Sequence, residues 1–310
     1  MRRLLEDFDA IFDLRYRVGG APLGKLVKEA LAEMSRPPLT EWGSKGPREA
    51  VSTESERHVS FFYRPHLFPK MELNLRLAHE LQFELLPREL PPGAPVSIAS
   101  VLESYCHLSG DLFGWELLSD GTFLIWIVDM SGHGVRAGLT SAVLKLLLGQ
   151  LRERSRIDEL MTSLNRELSG SLKPEHRNIF ATAFFLTLSP DGTGVYGSAG
   201  HPPMLVRRRS GDIEELESID RPLGLFDDTE YESRQLHFGT GDTLLLYTDG
   251  LVEAEGHDGE FFGLTRLRRL LELEHGAPEQ LTAAIYREIT ARQDIDKLED
   301  DVTFLAAKIP

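Results

Sequence analysis

Short apolar segments separated by turn residues make up most of the chain beyond Pro95, and this pattern restricts the fold more than any other feature. Two of the turns, Asp120-Gly121 and Asp191-Gly192, favour tight β-hairpins, so consecutive strands should pair antiparallel. The segments predicted as strands are residues 96–104, 114–118, 122–128, 181–188, 194–197, 204–208, 234–238, 243–247 and 302–308.

Helical segments interrupt these strands in blocks instead of alternating with them. They are predicted at residues 135–154, 157–169, 264–274 and 278–293. Groups of strands with segregated helices indicate an α+β fold in layers and argue against a parallel βαβ winding.

The N-terminal 68 residues have a different pattern. Two amphipathic segments, residues 3–16 and 23–34, flank a break at Gly19-Gly20-Ala21-Pro22, and residues 36–57 are rich in Pro, Gly, Ser and charge. We therefore expect a helical N-terminal regulatory region and linker over residues 1–68, followed by a main domain over residues 89–310.

A helix that begins after Pro69 and ends before Pro87 is predicted between these two regions, at residues 70–86. Its apolar positions follow a 3-4 spacing that is too short to establish a coiled coil. Two interpretations stay open for this connecting segment, residues 69–88. The helix packs on its own domain, or it forms a homodimer and transmits a signal.

Composition excludes several classes of partner. With 41% hydrophobic and 27% charged residues the chain is typical of a soluble globular protein. Its formal net charge of −15 repels nucleic-acid phosphates, so no nucleic acid is expected as a partner. The apolar run at residues 123–128 is far shorter than the roughly 18 residues that suggest a membrane span, so no membrane association is expected.

A single cysteine, Cys106, cannot form an internal disulfide, and acidic residues interrupt the N-terminus where a signal peptide is apolar. Both features favour a reducing cytoplasm. Cys106 follows a strand-like stretch, and we expect it to be a buried structural thiol and not a nucleophile.

The stretch Asp129-Met130-Ser131-Gly132-His133-Gly134 follows an apolar strand and superficially resembles a phosphate-binding glycine loop. Its spacing, G-x-G-x-x-x-G, is one residue off the dinucleotide fingerprint, and the strand before it arrives through a hairpin. The Asp129 carboxylate would also repel a pyrophosphate. We therefore ask whether this aspartate acts together with other acids.

Further acids lie at strand ends: Asp111, Asp249, Asp300 and Asp301. Each alone is explained as a turn or cap residue. If they converge, each like-charged pair near 4 Å repels by about 4 kcal/mol at an effective dielectric of 20, a cost that protonation or a divalent cation removes. Since no Cys or His pair has zinc spacing, this oxygen-only set favours Mg²⁺ or Mn²⁺, and two such ions can activate a water for attack on phosphorus.

Several motifs, in order and over some 230 residues, resemble the metal-dependent PP2C-like (PPM) serine/threonine phosphatases of the bacterial SpoIIE/RsbU type. The resemblance implies an αββα sandwich of two antiparallel sheets flanked by helices. The matching stretches are LQFELLP (81–87), SGDLFGW (109–115), DMSGHGVRAGL (129–139), FATAFFLTL (180–188), SAGHPPMLV (198–206), RPLGL (221–225), GDTLLLYTDGLVEAEG (241–256), FFGLTRL (261–267) and EDDVTFLAAK (299–308).

The resemblance also implies a set of metal ligands for two Mn²⁺ or Mg²⁺ ions. They are the carboxylates of Asp111, Asp129, Asp249 and Asp300, with the backbone carbonyl of Met130. Asp301 ranks below its neighbour Asp300.

Residues around these ligands have two interpretations each. His133 protonates the leaving oxygen or stabilises its own loop, and Glu253 supports the metals or merely favours a helix start. His201 and Gly224 lie in a connection that this family uses to face substrate, or in a rigid turn. Ser109 and Gly138 depart from the family's usual Gly and Ala, respectively.

The implied function is hydrolysis of phosphoserine or phosphothreonine in a protein, with a phosphorylated STAS-type anti-sigma-factor antagonist as the substrate in a partner-switching pathway. A cysteine phosphatase is disfavoured because HLSGD follows Cys106 without the required arginine. The alternative is a phosphatase-like binding module that has lost catalysis. A two-metal nuclease fits the acids but not the negative charge.

Overall fold

The computed structural model describes residues 17–18, 21–22, 68–151, 156–171, 179–293 and 298–310. The chain divides into two compact units, residues 1–63 and 64–310. In the first unit, Arg17–Val18 pairs antiparallel with Ala21–Pro22. The predicted helices at residues 3–16 and 23–34 and the linker at 36–57 lie outside the described residues.

The second unit contains two five-stranded sheets whose strand ladders are antiparallel. The first sheet has the order β8-β5-β4-β3-β2 and the second β1-β10-β9-β6-β7. The strands are β1 (Ser97–Glu103), β2 (Leu112–Leu117), β3 (Phe123–Met130), β4 (Ala181–Leu188), β5 (Thr193–Ala199), β6 (Met204–Arg207), β7 (Ile213–Leu216), β8 (Arg234–His237), β9 (Thr243–Tyr247) and β10 (Val302–Lys308).

Helices accompany the two sheets in the second unit. They are α1 (Phe68–Phe83), α2 (Val135–Leu151), α3 (Ile157–Ser171), α4 (Asp249–Val252), α5 (Leu264–Leu273) and α6 (Pro278–Arg292). Helices α2 and α3 pack on the first sheet, and α5 and α6 pack on the second. The result is the predicted α+β fold, an αββα sandwich.

Side-chain alternation along β3 explains why this strand is apolar throughout. Phe123, Ile125 and Ile127 point into the core between the sheets, whereas Leu124 and Trp126 pack beneath the helices. Because successive side chains on a strand face opposite sides and both sides are covered here, the whole run is buried.

Helix α1 begins earlier and ends earlier than predicted. Pro69 lies in its first turn, where a missing N–H costs no hydrogen bond. At the other end, the N–H groups of Leu85 and Leu86 donate to carbonyls three residues back. Pro87 disfavours helical backbone at the residue before it, so the helix ends in this tightened turn.

The prediction for Cys106 was wrong. Strand β1 ends at Glu103, and Cys106 is exposed in the loop that leads to Asp111. Burial and the nearby Asp301 carboxylate nevertheless raise the pKa of its thiol. Among the helices in the described part of the chain, none combines the length and apolarity that crossing a bilayer requires.

Candidate metal centre

The four aspartates predicted as ligands lie close enough to influence one another at one end of the gap between the two sheets. Asp129 lies two residues after the inward-facing Ile127 of β3, and Asp111 lies two residues before the inward-facing Phe113 of β2. Thr248 lies two residues after the inward-facing Leu246 of β9. Strand alternation therefore directs these side chains into a single space between the sheets.

Asp111 is buried, with 1% of its surface exposed, and is held from both sheets. Thr248 Oγ1 donates to Asp111 Oδ2 at 2.8 Å, and the backbone N–H of Asp111 donates to Ser109 Oγ at 3.0 Å. Burial, followed by repulsion from Asp129 and Asp301, raises the pKa of Asp111 well above its usual range. The hydroxyl of Thr248 partly offsets this rise.

Asp129 lies at the centre of the acidic group. Burial, then repulsion from Asp249 and Asp300, raises its pKa to about 8, and a hydrogen bond shared with the Asp111 carboxyl group opposes the rise. The electrostatics therefore couple Asp129 to each of the other three predicted carboxylate ligands.

Asp249 is the first residue of α4, directly after β9. Burial, followed by repulsion from Asp300, raises its pKa. The next residue, Gly250, allows this approach, since a Cβ there would lie 2.1 Å from the Asp301 carbonyl oxygen and 3.6 Å from Asp300 Cβ. A glycine at this position lets the start of α4 contact the start of β10.

The neighbours Asp300 and Asp301 differ in what they contact. The buried Asp301 accepts the N–H groups of Tyr105 at 2.8 Å and Gly110 at 2.7 Å, which ties the Asp111 loop to β10. Asp300 is exposed and acts electrostatically on Asp129 and Asp249. These contacts favour Asp300 as the ligand and give Asp301 a structural role.

The carboxylates fit a divalent cation by their chemistry. In the described part of the chain, no three His, Cys, Asp or Glu side chains are already gathered into a metal cage. Asp129 instead interacts with both Asp111 and Asp249, and burial together with repulsion between carboxylates raises the pKa of all three groups, so negative charge is poorly tolerated there. A hard cation with oxygen ligands relieves this repulsion, as Mg²⁺ or Mn²⁺ would.

The remaining predicted residues lie around this group. A Cβ on Gly110 would lie 3.1 Å from the Met130 carbonyl oxygen, so that oxygen borders the Asp111 loop. His133 is exposed, and its ring meets the Tyr105 ring edge-on at 4.7 Å between centroids. Burial, followed by repulsion from Asp249 and Asp300, raises the pKa of Glu253. The roles of His133 and Glu253 stay predictions.

His201 lies just below the centre, buried between the sheets. Its Nδ1 forms a 2.8 Å hydrogen bond with Thr182 Oγ1, and Thr182 is the cross-strand partner of Asp129. Burial lowers the pKa of His201 to about 3, so this imidazole is neutral at physiological pH. It thus contacts β4, the strand that pairs with the one that carries Asp129.

Sequence reasoning missed the role of Gln82, a buried residue on α1. Its Oε1 accepts the Ser109 N–H at 2.9 Å, and its Nε2 donates to the Ser109 carbonyl at 2.6 Å and to Ser141 Oγ at 3.1 Å. The amide thus holds the loop that leads to Asp111. A glutamine among the apolar positions of an amphipathic helix is the signal that could have revealed it.

Gly138 has a steric explanation in the same contact. A Cβ at this position would lie 2.5 Å from Leu108 Cβ, closer than two carbons can approach. Glycine therefore lets α2 pack directly against the loop that Gln82 holds.

Comparison with known proteins assigns the family. Residues 119–310 match the Stage II sporulation protein E (SpoIIE) family, so the chain belongs to it. Among curated relatives, the phosphoserine phosphatase RsbP of Bacillus subtilis is 31% identical over 182 residues, which are 58% of this chain and 45% of that protein. Phosphoserine phosphatase RsbU of the same organism is 25% identical over 244 residues, 77% of this chain and 71% of that protein.

The solved structure of the SiaA-PP2C domain of Pseudomonas aeruginosa has the same fold. It superposes with a TM-score of 0.69 at 19% identity, covering 78% of this chain and 98% of that domain. The predicted αββα sandwich is thereby confirmed. The chain spans less than half the length of the relatives RsbP and Protein IcfG, at 45% and 41%.

Proposed function

We propose that this protein is a metal-dependent phosphatase that removes phosphate from serine or threonine of a protein substrate. The observation that carries the proposal is the repulsion of Asp129 by Asp249 and Asp300 and of Asp111 by Asp129, at one end of the gap between the sheets. Membership of the SpoIIE family and the printed activity of RsbP and RsbU support it.

The four carboxylates, with the Met130 carbonyl, would hold two Mn²⁺ or Mg²⁺ ions. Such ions, when bound, lower the pKa of a coordinated water and polarise the phosphoryl oxygens. Because Asp111, Asp129 and Asp249 have raised pKa values, loading the centre requires them to release protons, so loading should be favoured by higher pH.

The chain's own groups provide orientation. Thr248 and Ser109 fix Asp111, while Asp301 fixes the loop in front of it. His133 is exposed in the loop that follows Asp129, and its imidazole would donate a proton to the departing serine oxygen.

The substrate within this proposal is a phosphorylated STAS-domain anti-sigma-factor antagonist, as in partner switching. A binding module without catalysis is disfavoured, since every carboxylate that the family pattern requires is present in the sequence.

Regulation would reach the centre through α1. Gln82 on this helix bonds both backbone groups of Ser109, two residues before Asp111. A signal that shifts α1, whether from residues 1–68 or from a homodimer through residues 70–86, would move the Asp111 loop. Deleting residues 1–68 should change turnover or its response to a partner, and unchanged kinetics would count against this route.

The deciding assay is Mn²⁺-dependent release of phosphate from a phosphorylated STAS protein. The natural chain should release phosphate, and Asp129→Ala or Asp249→Asn should reduce release by more than about 100-fold. Asp120→Asn is the matched control, because Asp120 is an exposed turn residue at the far end of the β2–β3 hairpin. If the Asp129 and Asp249 variants retain full activity, the proposal fails.

A further inference from the structure

A connection between β7 and β8 runs along the candidate metal centre. Met130, at the end of β3, is paired with Ala181 of β4, and Ala181 is paired in turn with Leu223. Two backbone hydrogen bonds of 2.9 and 2.8 Å join Ala181 to Leu223. Leu223 therefore lies two interstrand spacings of about 4.8 Å from Met130.

The tip of this connection is held by one buried side chain, Asn165 of α3. Its Nδ2 donates to the Phe226 carbonyl at 2.8 Å, and its Oδ1 accepts the Gly224 N–H at 2.7 Å. The Tyr231 hydroxyl also donates to Asn165 Oδ1 at 3.3 Å. The backbone of residues 224–226 is thus fixed before any partner binds.

Two apolar side chains project from this fixed backbone. Leu225 is 40% exposed and Phe226 is 43% exposed. The Arg221 guanidinium lies over the Phe226 ring, 4.7 Å from its centroid. Adjacent exposed apolar side chains on preorganised backbone are typical of a binding surface, since their ordering cost is already met in the free protein.

The surroundings of this tip define the chemistry of its partner. Asp227 and Asp228 follow it directly, and a depression of about 490 Å³ beside it is lined by the acids Asp220, Asp228 and Glu230 and by Arg221. Carboxylates around an apolar spot complement a protein face with Lys or Arg around its own apolar residue. They also repel nucleic acid.

We propose that Leu225 and Phe226 dock the phosphorylated protein substrate and determine specificity for it over small phosphate esters. The inference rests on the proposed phosphatase function and adds the surface that recognises the protein. Leu223 pairs with Ala181, the cross-strand partner of Met130, so the adjoining tip is within reach of a folded substrate whose phosphoserine enters the metal centre.

The test compares two substrates of the full-length chain with Mn²⁺: a phosphorylated STAS protein and p-nitrophenyl phosphate. The Leu225→Ser/Phe226→Ser variant should lose about tenfold or more in kcat/KM on the protein, mainly through KM, and stay within about twofold on the small ester. Asp227→Asn/Asp228→Asn should raise the protein KM and weaken its dependence on salt.

A matched control is Leu117→Ser/Leu273→Ser, since these side chains are 39% and 63% exposed and Leu117 is at the opposite end of β2 from Asp111. This variant should act like the natural chain on both substrates.

Equal losses on both substrates in the Leu225→Ser/Phe226→Ser variant, or an unchanged KM for the protein substrate, would overturn the docking role while leaving the proposed phosphatase function intact. Loss of self-association with an unchanged protein KM would assign the tip to a second copy of the chain and overturn the proposal. Failure of the natural chain to hydrolyse either substrate would overturn both proposals.

Discussion

Thr248 Oγ1 donates a 2.8 Å hydrogen bond to Asp111 Oδ2 and so joins the second sheet to the first at the candidate metal centre. The same oxygen accepts the Thr303 N–H at 3.1 Å, which fixes the hydroxyl between β9 and β10. A single side chain thus orients a buried carboxylate that lies 137 residues earlier in the chain.

Replacing Thr248 with valine removes this hydroxyl but keeps the shape of the side chain. Asp111 would lose the hydrogen bond that partly offsets the rise of its pKa, so it should bind a cation less readily. We expect Mn²⁺ affinity, measured by calorimetry, to fall by about tenfold. Thr248→Ser keeps the donor and should bind like the natural protein. Equal affinity of the valine variant would show that this contact does not position a ligand.

Removing metal should make stability depend on pH. Asp129 has its pKa raised to about 8, whereas an unfolded aspartate titrates near 3.9, so the unfolded chain gives up this proton more readily. Without metal, the free energy of unfolding should therefore be highest below about pH 4 for this group and fall as pH rises towards 8. Asp111 and Asp249 are shifted in the same direction.

Thermal unfolding in EDTA and in saturating Mn²⁺ measures this effect. Between pH 6.5 and 8 the melting temperature in EDTA should decline, and Mn²⁺ should remove the decline. Asp129→Asn should make the decline in EDTA smaller, and Asp120→Asn should leave it unchanged. A flat curve for the natural chain in EDTA contradicts the proposed crowding of carboxylates.

Strands were predictable where both faces are buried. The predicted bounds of β4, β9 and β10 coincide with the structure, because short, mostly apolar runs rich in β-branched and aromatic residues favour a strand. Strand β7 was not predicted. It is an edge strand whose Glu215 pairs with Arg268 of α5, 53 residues further along the chain.

The same distinction applies to the candidate site. Its aspartates could be proposed from sequence, since each lies at the end of a buried strand or in the turn beside it. The partners of the supporting residues Gln82 and Thr248 could not be proposed, because only the folded chain brings Ser109 near Gln82 and Asp111 near Thr248. The prediction that Cys106 is buried failed for a related reason, because the strand before it ends three residues earlier.

Gln82 gives a prediction about the link between α1 and the centre. Gln82→Ala would leave the buried Ser109 N–H without its acceptor and should cost about 2 kcal/mol of unfolding free energy. Because the Asp111 loop is loosened, Mn²⁺ affinity should also fall. The control is Glu80→Ala, an exposed position on the same helix. Denaturant unfolding and metal titration of both variants decide whether the two effects occur together.

His201 should make the fold sensitive to acid, in the opposite direction from the carboxylates. Its pKa is lowered to about 3 by burial, while an unfolded histidine titrates near 6.5, so only the unfolded chain takes up this proton between these values. The stability that the neutral imidazole contributes is complete above about pH 6.5 and is lost as pH falls, by roughly 2 kcal/mol at pH 5.

His201→Gln keeps a partner for Thr182 Oγ1 without a titrating group. Denaturant unfolding at pH 7 and pH 5 should show a smaller loss of stability for this variant than for the natural chain. An exposed histidine replaced in the same way, His133→Gln, should leave the difference between the two pH values unchanged. Equal acid sensitivity of the natural chain and His201→Gln would mean that His201 is protonated in the folded protein, and its placement below the centre would then be wrong.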